Sequence, residues 1–275
     1  MRPLVQEAVN AEIRQRIQTR YPGGQKLRFQ SPDPWSPNAA FVNCYDGPRE
    51  SVGYHSDQLT YLGPRAVIGS LSLGVAREFR VRRIVPRRDD GDGNSSHSGA
   101  REQEDNEGRD GDDDGDDPGD TAGQIAIHLP HNSLLTMHAE MQESWKHSVA
   151  PARTVDPHPI AGRRRINVTY RDYRASFHPR HTARCRCGIP AVLRVARPRR
   201  GEKGRAGETH RDYNRDHDRG GGYFWMCHGR NAPDPKARSC DFFQWADFDD
   251  DGNPSWDRER YRKPPPDSEG SETGT

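Results

Sequence analysis

Apolar residues are scarce in this 275-residue chain: 31% of positions are hydrophobic, 8% are aromatic, and the mean hydropathy is −1.12. That is too polar for a uniformly globular chain, so part of it is expected to be disordered. Long apolar runs are also missing, which excludes a membrane-spanning helix. The opening MRPLVQEAVNAEIRQR lacks the apolar core of a secretory signal. Cysteines number only five, Cys44 alone and four late in the chain, a pattern that suits a metal site in a reducing compartment better than a disulfide framework. Helical periodicity is confined to residues 3–20, where Val5, Val9, Ile13 and Ile17 recur every fourth position before Tyr21-Pro22-Gly23-Gly24. That helix is expected to cover one side of a sheet.

What is plentiful is charge, unevenly spread. The net +1 hides fourteen Asp/Glu against two Arg in residues 89–120, and twenty Lys/Arg against seven Asp/Glu in residues 163–238. A basic body with an acidic loop points to a polyanionic partner, nucleic acid first. Residues 88–122 repeat Asp and Gly with almost no apolar content, and are expected to form a disordered insertion between two strands. The Pro-, Asp-, Glu- and Ser-rich residues 250–275 are expected to be a disordered tail.

Short extended segments account for the rest. Ala39 to Tyr45 follows a Pro-rich link, Ala66 to Leu73 and Glu78 to Val85 look like a hairpin about Gly74, and Ile125, Ile127 and Leu129 alternate with more polar neighbours. Ser133 to His138, Trp145 to Val149 and Arg165 to Arg171 complete the set. Several short strands with one helix predict a mainly β fold, a sandwich or jelly roll (double-stranded β-helix). From residue 175 the composition turns to Arg, Gly, Cys and aromatics, marking a separate small unit.

Chemistry concentrates first in NCYDGPRESVGYHSD, Asn43 to Asp57. In an extended segment His55 and Asp57 point the same way. They are two-thirds of a facial triad, in which two His and a carboxylate hold Fe(II). The spacing is weak evidence by itself, since it recurs at His210-Arg211-Asp212. The third ligand must be a later His, and spacing does not choose among His128, His131, His138, His147 and His158. The second informative stretch is RINVTYR, whose alternation puts Ile166, Val168 and Tyr170 on one face and Arg165, Asn167, Thr169 and Arg171 on the other. Such a polar face is costly in a core unless it shares an anionic partner, and a small dicarboxylate would serve because guanidinium forks bind carboxylates bidentately. A solvent-facing strand is the plainer reading of that segment alone. Asn43 and Tyr45 also share a face.

Together these motifs resemble the AlkB family: Asn43-x-Tyr45-x-Gly47 is followed by His55-x-Asp57, then Ser70 to Gly74 (SLSLG), Arg77-x-Phe79, Ser133-Leu134-Leu135, Trp145-x-His147 and RINVTYR. The likeness runs from about Asn38 to Arg171 and is nearest to the eukaryotic branch that acts on DNA. It implies that His55, Asp57 and His147 ligate iron, and that 2-oxoglutarate lies against Asn43, Tyr45, Arg165, Asn167, Thr169 and Arg171. It implies oxidative removal of N-methyl groups from flipped bases of the 1-methyladenine and 3-methylcytosine type, with O2 consumed and formaldehyde released. Where the family usually has an acidic base-contacting residue this chain has Gln58. The family's nucleotide-recognition lid normally precedes the Asn43 motif, where about forty residues stand here, so a truncated chain or a differently built base site is expected.

Cys185, Cys187, Cys227 and Cys240 supply four thiolates, enough for a closed structural Zn site. Leu193-Arg194-Val195, Tyr223-Phe224-Trp225 and Phe242-Phe243-Gln244-Trp245 interleave bases with aromatics, as single-stranded nucleic acid requires, although some aromatics must form the unit's own core. Cys185-x-Cys187-Gly188, Phe224-x-x-Cys227 and Cys240-x-Phe242-Phe243-x-Trp245 are similar to the GRF zinc finger, a single-strand DNA-binding module. Gly222-Tyr223-Phe224 stands where that finger has Gly-Arg-Phe. The expected organisation is a dioxygenase domain over residues 1–174, a finger over 180–249 and the tail. The expected protein is a monomeric, nuclear DNA dealkylase using Fe(II), 2-oxoglutarate and Zn, with no membrane partner. The alternatives are an oxygenase of the same fold acting on RNA or protein, and an inactive DNA-binding remnant.

Overall fold

The chain is described by a computed structural model over residues 1–20, 29–31, 33–84, 123–196, 222–231 and 240–255. The acidic insertion, residues 256–275 of the expected tail and the second His-x-Asp motif lie outside the described residues.

Helix α1 (Arg2–Arg20) forms where the four-residue periodicity placed it. Eight strands follow in two antiparallel four-stranded sheets: β1 (Ala39–Asp46), β2 (Val52–His55), β3 (Ile68–Gly74), β4 (Arg77–Arg83), β5 (Gln124–Leu129), β6 (Ser133–Met137), β7 (Trp145–Val149) and β8 (Arg164–Arg171). A single helical turn, α2 (Met141–Ser144), leads into β7. One sheet runs β1-β8-β3-β6 and the other β2-β7-β4-β5. This is the expected mainly β sandwich. Tyr45, Leu62, Ile68, Phe79, Val81, Leu129, Met137 and Val149 fill the space between the sheets. On the outer face of the first sheet α1 lays Val5 and Val9 against Leu71 and Tyr170, with Trp35 beside them. Burying two such Val side chains is worth about 1.5–3 kcal/mol each, so Val9→Asp would detach the helix.

The expected hairpin of Ala66–Leu73 with Glu78–Val85 does not form. β3 pairs with β6 and β8, whereas β4 pairs with β5 and β7 in the other sheet. Gly74 makes the corner at φ 87, and a Cβ there would lie 2.1 Å from the carbonyl oxygen of Arg164. Just past it, buried Arg77 donates to the carbonyls of Gly47, Glu50 and Ala150 at 3.1, 2.6 and 2.7 Å and so ties β4 to the second sheet. Local alternation cannot reveal a crossover fixed by carbonyls so distant in sequence.

After a 3-10 turn (Ala175–Phe177), a third antiparallel sheet of order β11-β10-β9 is built from β9 (Val192–Val195), β10 (Tyr223–Met226) and β11 (Phe243–Ala246). Its inner residues Leu193, Tyr223, Trp225 and Ala246 pack with Phe177 and Phe248, and with Leu59 from the large sandwich. The chain stays folded past Asp249: Gly252 N donates to the Asp249 carbonyl at 2.9 Å, and Phe248 bridges to Pro254. The tail expected from residue 250 therefore has its first residues inside the fold.

Candidate active site

β2 and β7 bring the first cluster together, because their register sets His55 opposite His147. The ligand atoms of His55, Asp57 and His147 all lie within 4.8 Å of one another. Asp57 Oδ1 stands 3.9 Å from His55 Nε2 and 3.7 Å from His147 Nε2. His55 Nδ1 sits 2.8 Å from the Gly53 carbonyl, an arrangement that places the proton on Nδ1 and leaves the Nε2 lone pair for a metal. Burial, helped by the neighbouring His55 and against the pull of Asp57, pushes the His147 imidazole down to about 4, so it is neutral and ligand-ready at ordinary pH. The other candidate histidines are elsewhere. His131 and His158 stack on each other beside the Gly74 corner, His138 faces Glu12 of α1, and His128 lies on β5 opposite Glu78.

The inward face of β8 continues from this cluster. Arg171 donates from Nε and Nη2 to Asp57 Oδ2, at 2.8 and 2.6 Å, which leaves Oδ1 turned toward the two histidines. Thr169 Oγ1 accepts from Asn167 Nδ2 at 2.6 Å, and Asn167 Oδ1 accepts from Arg165 Nη2 and Ser70 Oγ at 3.2 and 2.8 Å. Ser72 Oγ accepts from the same Arg165 Nη2 at 2.9 Å. Arg165 is 1% exposed, yet its Nε and Nη1 meet no partner among the described residues. A buried guanidinium with two nitrogens unpaired is suited to an anion, since leaving their N–H groups unpaired is costly. Tyr45 lies under Arg165, 5.3 Å from ring centre to guanidinium carbon, and the β1–β8 register puts Asn43 opposite Asn167. Burial raises the Tyr45 hydroxyl above its ordinary value, against the pull of Arg165 and Arg77. Donor set and unpaired Arg165 nitrogens fit a small dicarboxylate at Arg165 and a divalent metal at His55, Asp57 and His147.

All the residues singled out on β1, β2, β7 and β8 thus face one interior. Gln58 is exposed directly after Asp57. Reading the sequence missed Ser70 and Ser72, although SLSLG alternation puts both opposite the leucines. It also missed Gln142, whose Oε1 accepts from the Asp57 backbone N–H at 2.7 Å and for which nothing local gives a signal.

The second cluster is Cys185, Cys187, Cys227 and Cys240, whose sulfurs lie within 4.8 Å of one another. Gly188 N donates to the Cys185 carbonyl in the tight turn carrying the first pair, while Cys227 and Cys240 flank β10 and β11. Four convergent thiols fit a closed tetrahedral site for Zn or a similar soft cation. The outer face of the small sheet carries Phe224, Phe243 and Trp245 in mutual ring contact, with Arg194 across from Phe224. Phe243 and Trp245 are 52% and 61% exposed.

Comparison with known proteins matches residues 1–171 to the 2OG-Fe(II) oxygenase superfamily. The Bos taurus alpha-ketoglutarate-dependent dioxygenase alkB homolog 3 is 29% identical over 134 residues, which are 49% of this chain and 36% of that protein. The Arabidopsis thaliana DNA oxidative demethylase ALKBH2 is 28% identical over 138 residues, 49% of this chain and 37% of that protein. This chain thus spans little more than a third of the length of these relatives. The solved structure of OsALKBH1 superposes with a TM-score of 0.35 at 17% identity, covering 62% of each chain.

Proposed function

The chain belongs to the 2OG-Fe(II) oxygenase superfamily, and from that premise we propose that it oxidatively removes N-methyl groups from bases of DNA, with the cysteine module holding Zn and gripping single strands. The observation that carries the reading is the inward face of β8, which joins the unpaired Arg165 nitrogens to the His55, Asp57 and His147 cluster through Asn167, Thr169 and Arg171. In this reading iron is held by His55, Asp57 and His147, and 2-oxoglutarate is held by Arg165 with Asn43, Tyr45, Asn167 and Thr169 around it. When bound, the two supply the oxidation: O2 converts 2-oxoglutarate to succinate and CO2, and the second oxygen enters a C–H bond of the substrate methyl group. The resulting N-hydroxymethyl group breaks down to formaldehyde and the free base nitrogen.

The protein's own share is positional. Arg171 orients the Asp57 carboxylate, and Gly53 orients His55. The packed interior keeps His147 neutral, as a ligand must be. A nucleic-acid substrate is supported by the aromatic and basic outer face of the small sheet, since base stacking on exposed rings is the common device of single-strand binding, and DNA by the likeness to the DNA oxidative demethylase of Arabidopsis thaliana. Gln58, exposed beside Asp57, is the side chain assigned to the base in this reading. The site chemistry alone would equally suit methylated RNA.

The test is formaldehyde release from a single-stranded DNA oligonucleotide carrying one 1-methyladenine, with Fe(II), 2-oxoglutarate and O2 supplied, beside a His55→Ala protein and an RNA oligonucleotide of the same sequence. Release from DNA that disappears in the variant is the expected result. Release from RNA alone would move the substrate class. Decay of 2-oxoglutarate with neither oligonucleotide altered would retain the oxygenase and refute base dealkylation.

A further inference from the structure

The segment from Asp57 to Arg65 leaves the His/Asp/His cluster and runs straight into the cysteine module. Leu59, 3% exposed, sits within the module's core beside Leu193, Tyr223 and Trp225. Leu193 N donates to Thr60 Oγ1 at 3.3 Å, and Arg65 Nη1 donates to the Asp249 carbonyl. Gly63 fits under Phe177 only because it has no side chain: a Cβ there would lie 2.5 Å from the ring, and its φ is +71. A module acting merely as a tether would need none of these contacts.

Turn α2 closes the connection. Glu143 is buried, and its Oε1 accepts from Arg65 N at 2.6 Å and from the Tyr223 hydroxyl at 3.2 Å. Its neighbour Gln142, also buried, reaches the other way to the Asp57 N–H. Two adjacent side chains on one turn therefore fasten the module on one side and an iron ligand on the other. We propose that Glu143 is a positioning residue for the metal site, held in place by Tyr223, so that the cysteine module is part of the scaffold that sets Asp57. The inference rests on the metal reading of His55, Asp57 and His147 given above.

Residues that orient a metal's ligands change affinity by about 10–100-fold when removed. In the full chain with its cysteine-bound metal, Glu143→Ala is expected to weaken Fe(II) binding by that order. The readout is anaerobic titration with Fe(II) and 2-oxoglutarate, followed by the visible charge-transfer band of the complex. Glu143→Gln, which keeps both the volume and an oxygen at the same place, is expected to restore most of the affinity, whereas Glu143→Met, which keeps the volume without the acceptor, is not. Should Glu143→Ala fail to fold, Tyr223→Phe removes one hydroxyl and carries the test through hydrogen exchange of the Asp57–Thr60 amides. Losing one such hydrogen bond is expected to speed that exchange about 2–10-fold. Unchanged exchange in Tyr223→Phe, or wild-type Fe(II) affinity in a folded Glu143→Ala, overturns the proposal. A wild-type chain that binds no Fe(II) would instead refute the iron reading, and the exchange measurement, which needs no iron, would still decide the coupling.

Discussion

The inward face of β8 and the outward face of β10 and β11 each carry side chains that an ordinary sheet would place the other way round. On β8, Arg165, Asn167 and Thr169 are buried between two sheets, where polar groups are expensive. On the small sheet, Phe243 and Trp245 stand in solvent, where apolar rings gain nothing from the fold. The cost has a different sign of remedy in each place. The buried polar face would be relieved by a ligand small enough to enter, and the unpaired Arg165 nitrogens suit an anion. Under the proposed function the exposed aromatic face would be covered by something large that lies on the surface. In that reading, sheets of similar construction serve a cosubstrate in one case and a macromolecular partner in the other.

The comparison breaks most completely at the cysteines. Each strand of the small sheet has four residues, too little sheet to persist without the cation proposed for the four thiols. Cys185→Ser, or removal of the metal with a chelator, is expected to unfold the module, because structural Zn binding supplies on the order of 10 kcal/mol to domains of this kind. Fluorescence of Trp225, 1% exposed in the fold, would shift to longer wavelength. An unshifted spectrum after complete metal loss would mean that docking on Leu59 and Glu143 suffices.

Next in size is the buried face. Arg165→Ala is expected to weaken 2-oxoglutarate binding by about 2–5 kcal/mol, the usual cost of truncating one partner of a buried charge pair. Isothermal titration of the iron-loaded or metal-substituted protein measures it. An unaltered affinity would show that the carboxylate lies elsewhere and that water meets the unpaired Arg165 nitrogens.

What made this face readable beforehand is the period of two. Once Arg165 to Arg171 is a strand, the apolar side chains of Ile166, Val168 and Tyr170 decide which way the polar ones turn, and the same parity joins Asn43 to Tyr45 and His55 to Asp57. Pairings across the sandwich are not written in any one segment. By spacing alone His147 was one of five candidates; the likeness singled it out, and the β2–β7 register sets it opposite His55. The mistaken hairpin at Gly74 has the same origin, since Arg77 is committed by the carbonyls of Gly47, Glu50 and Ala150. The contact of Glu143 with Tyr223 spans 80 residues and left no local trace. The cysteine cluster was legible because thiols at such spacing have few other uses, but the three strands of the module were not.

A smaller effect sharpens the contrast from the exposed side. Trp245→Ala should lower affinity for single-stranded DNA by about 1–3 kcal/mol, the usual worth of one stacked base. Thermal stability should move by no more than about 0.5 kcal/mol, since the ring is mostly in solvent. Fluorescence anisotropy with a labelled oligonucleotide, beside a melting curve, separates the two. A large loss of stability with unchanged DNA binding would make Trp245 part of the module's core.

The smallest effect lies where the two regions meet, and its sign follows from linkage. Burial raises the Glu143 carboxyl above its ordinary 4.5, against the hydrogen bonds from Arg65 and Tyr223 that lower it. A folded-state value above the unfolded one means that the native protein binds more protons at intermediate pH. The stability that goes with this group is therefore full below about 4.5 and is lost as pH rises from there through the folded value. Glu143→Gln carries no such proton. Relative to wild type, the variant should gain stability as pH is raised above 4.5, at constant ionic strength and with both metals present, as read from urea midpoints. The opposite slope would mean that the carboxylate is ionised in the fold and compensated there, with Arg65 and Arg174 the cations close enough in the electrostatics of that junction to do so.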